Sequence, residues 1–263
     1  MVKMNGNEIT QEIKSKLSKI EHQENIRILY ACESGSRAWG FASPDSDYDV
    51  RFIFVRPIED YFRVKELPDF IDAELNEMYD INGWDLKKFF KQLYKSNPVI
   101  FEWANSPIVY IETLEWKRIK SVMNDYFLKV EMLHHYRGMA KSNVRSNFAT
   151  SEIVLKKYLY VLRPVLACLW LIQKHTVPPT EFSKLVEEVL PEELIVSVDE
   201  LLAVKMKSGE KEKGSRIQQL DLFIEKKLNE ATMFSVFNEK QKDYKKLDTL
   251  FLDIVQAGVA GGV

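Results

Sequence analysis

The sequence predicts an α/β (α+β) domain with a short mixed sheet, followed by an all-helical domain. Before residue 113, short β-prone runs bounded by turn residues alternate with helical patterns. From residue 113 onward, the apolar spacing is helical almost throughout. With 263 residues, 46% of them hydrophobic, the chain has enough apolar material for two cores. We therefore expect two domains, residues 1–112 and 113–263.

The elements of the first half follow from periodicity and turn residues. Apolar residues at helical spacing predict a helix over 8–20. β-prone runs predict strands over 26–32 and 48–55, and a third within 73–82 that stops at Asn82-Gly83. An amphipathic pattern predicts a helix over 85–95, capped by Asp85 and ended by Asn97-Pro98, while residues 58–70 stay ambiguous.

The second half shows helical spacing over six segments. They are residues 114–128, 131–148, 152–174, 180–189, 192–206 and 216–254. Residues 207–214 are polar and predict a flexible loop, and the tail 257–263 is expected to fray. Lys156, Lys157, Arg163 and Pro164 interrupt the most apolar segment, so we expect a buried helix there, no membrane span and a cytoplasmic protein.

Charge and cysteine content exclude several classes of protein. A formal net charge of -2 argues against a globally basic nucleic-acid binder, although it permits a local basic cleft. Cys32 and Cys168 stand in apolar surroundings and are expected to be buried, reduced thiols. No Cys-x-x-Cys or Cys/His pattern suggests structural zinc.

Residues 33–55, ESGSRAWGFASPDSDYDVRFIFV, carry the candidate site. Alternate residues of a strand share a face, so Asp47 and Asp49 project together with Arg51, which we expect to orient them through a salt bridge. Two close carboxylates repel each other unless a cation lies between them, and Mg²⁺ suits such oxygen ligands. Upstream, Gly35-Ser36 offers backbone N–H groups to phosphate oxygens, and Arg37 adds charge.

Two better-known loops do not fit this stretch. Phe41-Ala42 stands where a phosphate-binding loop of the Walker A type needs Lys-Ser/Thr. Val50 and Arg56 stand where a calcium loop needs its glycine and its bidentate glutamate. The arrangement that remains is Gly-Ser, an interval of ten residues, and Asp-x-Asp entering a strand.

This arrangement resembles the DNA polymerase beta superfamily of nucleotidyltransferases. A closer resemblance is to a bacterial and phage group of predicted nucleotidyltransferases associated with RNA ligases, and it covers roughly residues 30–175. The shared segments are GSRAWG at 35–40, SDYDVRF at 46–52, GWDL at 83–86, NP…EW…SPIVY at 97–110 and KKYLYVLRP at 156–164. The first domain is therefore expected to be a polymerase-beta-like nucleotidyltransferase domain.

The resemblance implies roles for particular residues. Asp47 and Asp49, with a third carboxylate, would hold Mg²⁺ or Mn²⁺ and form the catalytic set. Asp80 is our choice for that carboxylate because it ends the third β-prone run, with Asp72, Glu74 and Glu77 as rivals. Nucleotide-binding residues are expected among those of the Gly-Ser turn and the 156–164 segment: Gly35, Ser36, Arg37, Lys157 and Arg163. Lys157 and Arg163 are equally compatible with a helix whose role is purely structural.

The expected reaction is transfer of a nucleotidyl group from an NTP, with ATP as the expected donor, to an acceptor hydroxyl. The RNA-ligase association implies an RNA end as acceptor. A protein side chain or a small molecule fits the net charge equally well, and a non-catalytic nucleotide-binding or antitoxin-like module is a third reading. Arg137, Lys141 and Arg145 recur at i+4, either to grip a polyanion or as an exposed face. Oligomeric state stays open.

Overall fold

The computed structural model describes residues 6–208, 212–231 and 243–260. Its centre is a five-stranded sheet with the strand order β3-β4-β2-β1-β5. The strands are β1 (Arg27–Glu33), β2 (Tyr48–Val55), β3 (Phe70–Leu75), β4 (Tyr79–Asp85) and β5 (Val109–Glu112). Only the β2–β4 pair is parallel among these neighbours, so the sheet is mixed, as predicted.

Helices cover both faces of the sheet because the residues of β2 alternate. Val50, Phe52 and Phe54 point to one face, where they join the apolar stripe of α1 (Gly6–Glu24) in one buried cluster. Ile53 and Val55 point to the other face and pack in a second cluster with α3 (Leu86–Tyr94), whose N-terminus Asp85 caps as predicted. The short helix α2 (Gly35–Ala38) follows β1.

The rest of the chain is mainly helical and confirms the predicted fold class. After α4 (Pro98–Ala104), the helices are α5 (Leu114–Met123), α6 (Lys129–Asn147), α7 (Lys157–Lys174), α8 (Phe182–Val189), α9 (Ile195–Ser208), α10 (Gln218–Glu230) and α11 (Lys245–Ala260). One two-stranded ribbon, β6 (Glu152–Val154) with β7 (Lys213–Ser215), interrupts them. The division at residues 112 and 113 stays a prediction.

The structure differs from several local predictions. Asn82-Gly83 does not stop a strand: both residues lie within β4, beside β2. A side chain on Gly83 would begin 2.1 Å from the Phe52 ring, so this glycine makes room for an aromatic neighbour. The residues before it form two strands joined by a turn at Asn76, which accepts hydrogen bonds from Met78 N and Tyr79 N.

Asn97-Pro98 was predicted only to end a helix, yet it also begins α4. The Asn97 side chain accepts a hydrogen bond from Val99 N, and proline fits the first helical position, where no N–H is needed. Residues 152–154, predicted as helix, form β6 because they pair with 213–215. The predicted loop 207–214 was wrong at both ends, because residues 207–208 belong to α9 and 213–214 to β7. Residues 257–260 of the predicted frayed tail belong to α11. Residues 209–211 of the loop, 232–242 of the last predicted helix and 261–263 of the tail lie outside the described residues.

Helix α7 is buried, as predicted for the most apolar segment. Within the described ranges, no helix is both long enough and apolar enough to cross a bilayer. Cys32 and Cys168 are buried free thiols, which confirms that prediction.

We predict that Gly83→Ala destabilises the protein by about 2–3 kcal/mol, because the new methyl group forces the fully buried Phe52 ring out of its place. Urea denaturation measures this. Gly138→Ala is the matched control: apart from its chain neighbours and its own helix backbone, no atom lies within 4 Å of the added carbon, and alanine favours the α6 helix by roughly 0.5–1 kcal/mol. Similar effects of the two changes would show that the Phe52 contact does not constrain position 83.

Candidate functional site

The Gly-Ser turn lies directly against Asp49. Ser34 N donates a hydrogen bond to the Asp49 carbonyl oxygen at 2.8 Å, which ties the start of the turn to β2. Gly35 has a φ of +57°, and a Cβ there would lie 1.9 Å from Asp49 Oδ2. Glycine is therefore needed twice, for the left-handed backbone and for the closeness of the carboxylate.

Asp49 and Asp80 stand side by side because they are register partners in the parallel pair β2–β4. The Arg51 guanidinium lies between them: its Nη2 donates to Asp49 Oδ1 at 3.2 Å and to Asp80 Oδ2 at 2.7 Å. Its Nη1 donates to the Asp80 carbonyl oxygen at 2.7 Å. The expected salt bridge is confirmed for Asp49 and reaches Asp80 on the neighbouring strand, whereas the expected bridge to Asp47 stays a prediction.

Asp47 is exposed and immediately precedes β2. Arg37 fixes the backbone at this point: its Nε donates to the Asp47 carbonyl oxygen at 2.9 Å, and its Nη2 donates to the Ser46 carbonyl oxygen. The guanidinium also lies 3.8 Å from the centroid of the Tyr48 ring. Arg37 thus holds the loop that carries Asp47, whatever charge it also offers to a ligand.

Glu33 is a site residue that sequence reasoning missed. It is fully buried, and its Oε1 accepts a hydrogen bond from Asp49 N at 2.8 Å while Oε2 accepts one from the Tyr110 hydroxyl at 2.5 Å. Burial raises its pKa to about 7, against the lowering effect of those hydrogen bonds. The available signal was an acid that ends the apolar strand RILYACE directly before the Gly-Ser turn.

Arg163 lies in the interior and supports the turn from below. Only 2% exposed, it donates from Nη1 to Glu102 Oε1 at 2.8 Å and from Nη2 to the Thr180 carbonyl oxygen at 3.3 Å. Its guanidinium lies 4.5 Å from the centroid of the Trp39 ring. Lys157, at the start of α7, is half-buried, with Nζ 5.6 Å from the Tyr160 ring centroid. The structure thus brings Gly35, Asp49 and Asp80 together, whereas Arg163 lies beneath this group and contacts Trp39, which follows the turn.

The electrostatics of the site favour a cation between the carboxylates. Burial raises the pKa of Asp49 to about 6, Arg51 lowers it, and the charges of Asp47 and Asp80 raise it. As arranged in the described ranges, no three His, Cys, Asp or Glu side chains converge closely enough to hold a metal ion. A guanidinium already occupies the space between Asp49 and Asp80. The position of the Arg51 guanidinium shows that positive charge is stabilised between these carboxylates. Their hard oxygen atoms also suit Mg²⁺ or Mn²⁺.

The fold and this site define a nucleotidyltransferase-type arrangement of Gly-Ser turn and strand-borne aspartates, and the family comparison agrees with it. The model of the RNA repair pathway DNA polymerase beta family matches residues 9–253. The chain belongs to that family, which indicates a nucleotidyltransferase of the polymerase beta type.

Two proteins are among those that match this chain. One is an uncharacterized protein, YcgL, of Bacillus subtilis (strain 168), 38% identical over 251 residues, which cover 94% of this chain and 96% of that protein. The other is the crystal structure of a nucleotidyltransferase-like protein from Exiguobacterium sibiricum 255-15, at 11% identity and a TM-score of 0.29, over 84% of this chain and 73% of that one.

We predict that Glu33 makes stability fall as pH rises from about 4.5 to 7. The folded protein keeps a proton up to a pKa of about 7, whereas the unfolded chain releases it near 4.5, so unfolding gains from rising pH within this window. The total loss is about 3 kcal/mol. Glu33→Gln still accepts from Asp49 N but cannot ionise, so urea denaturation in metal-free buffer from pH 4 to 8 should show a flatter profile than wild type. Parallel profiles would contradict the prediction.

We predict that Arg163→Met lowers the free energy of unfolding by about 3–5 kcal/mol, because it leaves the Glu102 carboxylate buried without its cation. Glu102→Gln should cost a comparable amount, and the double variant should cost less than the sum because the two residues form one pair. Urea denaturation without nucleotide measures this. An Arg163→Met protein of unchanged stability but weakened ATP binding would instead place Arg163 on the nucleotide.

Proposed function

We propose that this protein transfers a nucleotidyl group from an NTP, with ATP as the expected donor, to the hydroxyl of an RNA end. One observation carries the proposal: Gly35 packs so closely on Asp49 that no side chain fits between them, and Asp80 stands beside Asp49 in register. A phosphate chain bound at the turn would therefore lie next to Asp49 and Asp80. A metal ion held by these carboxylates would neutralise the phosphate charge.

Asp47, Asp49 and Asp80 would hold Mg²⁺ or Mn²⁺, which when bound neutralises phosphate charge and makes the acceptor hydroxyl more acidic. Asp49 has a pKa of about 6 before any cation binds, so most of it is ionised at neutral pH and able to act as a ligand. Arg51 fixes the directions of two of these carboxylates through its hydrogen bonds.

The nucleotide would bind on the turn. Gly35 and Ser36 are the first two residues of the short helix α2. Their backbone N–H groups have no acceptor within the helix, so they are able to donate to phosphate oxygens. The acceptor oxygen would attack the α-phosphorus in line, a new O–P bond would form, and the bond to the β-phosphate would break with loss of pyrophosphate. The hydroxyl proton would pass to the Asp80 carboxylate.

A nucleotide-binding module without turnover is the second candidate. The observation that favours it is the Arg51 bridge, because a guanidinium already occupies the position between Asp49 and Asp80 and offsets part of their charge. The two candidates differ in one product, pyrophosphate.

We predict that α-³²P-labelled ATP with Mg²⁺ or Mn²⁺ labels a fraction of total cellular RNA, and that Asp47→Asn/Asp49→Asn lowers the labelling at least about 100-fold, because neutral amides hold a divalent cation weakly. Gels that separate RNA from protein identify the acceptor, and pyrophosphate release is measured in parallel.

Asp45→Asn is the matched control, since Asp45 is an exposed aspartate of the same loop that no part of the proposal uses. It should label RNA like wild type. Label that stays on RNA in the double variant would remove the assigned roles of Asp47 and Asp49. ATP binding without pyrophosphate release would favour the second candidate, and label on protein alone would replace the acceptor.

A further inference from the structure

A groove of about 610 Å³ opens at the end of the sheet remote from Asp49. It lies between the loop that follows β2 and the start of α3. In the β2–β4 register, Phe54 pairs with Asp85, five residues beyond the Asp49–Asp80 pair, so the groove lies about 17 Å from the carboxylates. It is a separate site on the same two strands.

This groove is cationic, in contrast to the whole chain. Six basic side chains line it: Arg56, Arg63, Lys65, Lys87, Lys88 and Lys91. Three of the four acidic side chains are already engaged within the groove. Asp60 pairs with Arg63 at 2.7 Å, Asp69 pairs with Lys88 at 3.0 Å, and Asp85 caps α3.

The remaining cations are placed to meet an anion. In the described part of the chain, Lys65, Lys87 and Lys91 form no ion pair, and all three are exposed. Lys87 and Lys91 lie one helical turn apart on the same side of α3. The Arg56 Nε is buried and has no hydrogen-bond partner among the described residues, which is a costly arrangement unless a ligand or water accepts from it.

Exposed apolar residues stand next to lining residues in the sequence. Phe62, which is 78% exposed, stands between the lining residues Tyr61 and Arg63, and the exposed Val64 and Phe70 follow Arg63 and Asp69. The Lys88 ammonium lies 4.9 Å from the Phe70 ring centroid. Aromatic rings do not contribute to the binding of a free phosphate. Unpaired bases of a single strand stack on such rings while cations bind the phosphates.

From this combination we infer that the groove binds single-stranded nucleic acid, with the phosphates on Lys87 and Lys91 and a base on Phe62. The inference deepens the proposed function by placing part of an RNA acceptor, and to that extent it rests on that function. Binding itself needs neither the metal nor turnover, so it can be tested apart from the chemistry.

The test is fluorescence anisotropy of a labelled, unstructured 12-nucleotide RNA with the full chain at several salt concentrations. Lys87→Gln/Lys91→Gln should weaken binding at least about ten-fold at low salt and reduce the slope of log Kd against log salt by about 1.4, since each contact to a single strand contributes about 0.7. Phe62→Ala should weaken binding about five-fold or more with an unchanged slope, because stacking releases no counterions.

Lys14→Gln/Lys19→Gln is the matched control. It removes the same charge from exposed positions of α1, which covers the opposite face of the sheet. Equal weakening by both lysine pairs would overturn the inference, as would wild-type protein that does not bind RNA at 50 mM salt. Inorganic polyphosphate that displaces RNA equally well from wild type and Phe62→Ala would also overturn it, in favour of a general anion site.

A failure here is distinguishable from a failure of the proposed function. Asp47→Asn/Asp49→Asn should bind the 12-nucleotide RNA like wild type, because its changes lie at the other end of the strands. Loss of RNA binding in that variant would contradict a separate groove. Intact nucleotidyl transfer in Lys87→Gln/Lys91→Gln at saturating RNA, with a raised KM for RNA, would support the groove.

Discussion

Asp49 is held from three directions, and the rest of the site depends on where this holds its carboxylate. The backbone of Gly35 closes one side, the Arg51 guanidinium meets Oδ1, and the buried Glu33 carboxylate accepts the amide N–H. These groups come from a turn and from two central strands, whose positions the sheet itself fixes. The Asp49 carboxylate can therefore point in one direction only. A carboxylate that is to share a bound cation with Asp80 on the next strand would need such a fixed orientation.

Burial, more than the neighbouring charges, explains why the pKa values of Glu33 and Asp49 are raised rather than lowered. Desolvation outweighs the neighbouring cations at both Glu33 and Asp49, and the charges of Asp47 and Asp80 raise the pKa of Asp49 further. A net excess of negative charge in a partly buried place is unfavourable until positive charge arrives. The folded protein thus tolerates an unfavourable electrostatic energy at these carboxylates, and a bound divalent cation would reduce it.

The sequence is sufficient to predict that Asp49 and Arg51 project from one face, because alternation along one strand needs no knowledge of other strands. Asp47 precedes β2, and its place on that face stays a prediction. It also predicts the order of most helices. It does not reveal that Glu33 faces Asp49 N, or that Gly83 lies beneath the Phe52 ring, because both contacts join residues on neighbouring strands. The pairing of 152–154 with 213–215 is missed for the same reason, since each run is too short to show a period.

Arg163 shows how the helical half and the sheet half are joined at the turn. Its charge is satisfied by Glu102 on α4, and its flat face lies on Trp39, two residues beyond Arg37 in the same segment. Tyr136 of α6 donates to the same Glu102 oxygen, so three helices converge beneath one turn. A displacement of α7 would therefore shift the residues around Gly35 through these packed side chains. Through Arg163 and Trp39, helix α7 thus packs on the segment that carries the Gly-Ser turn.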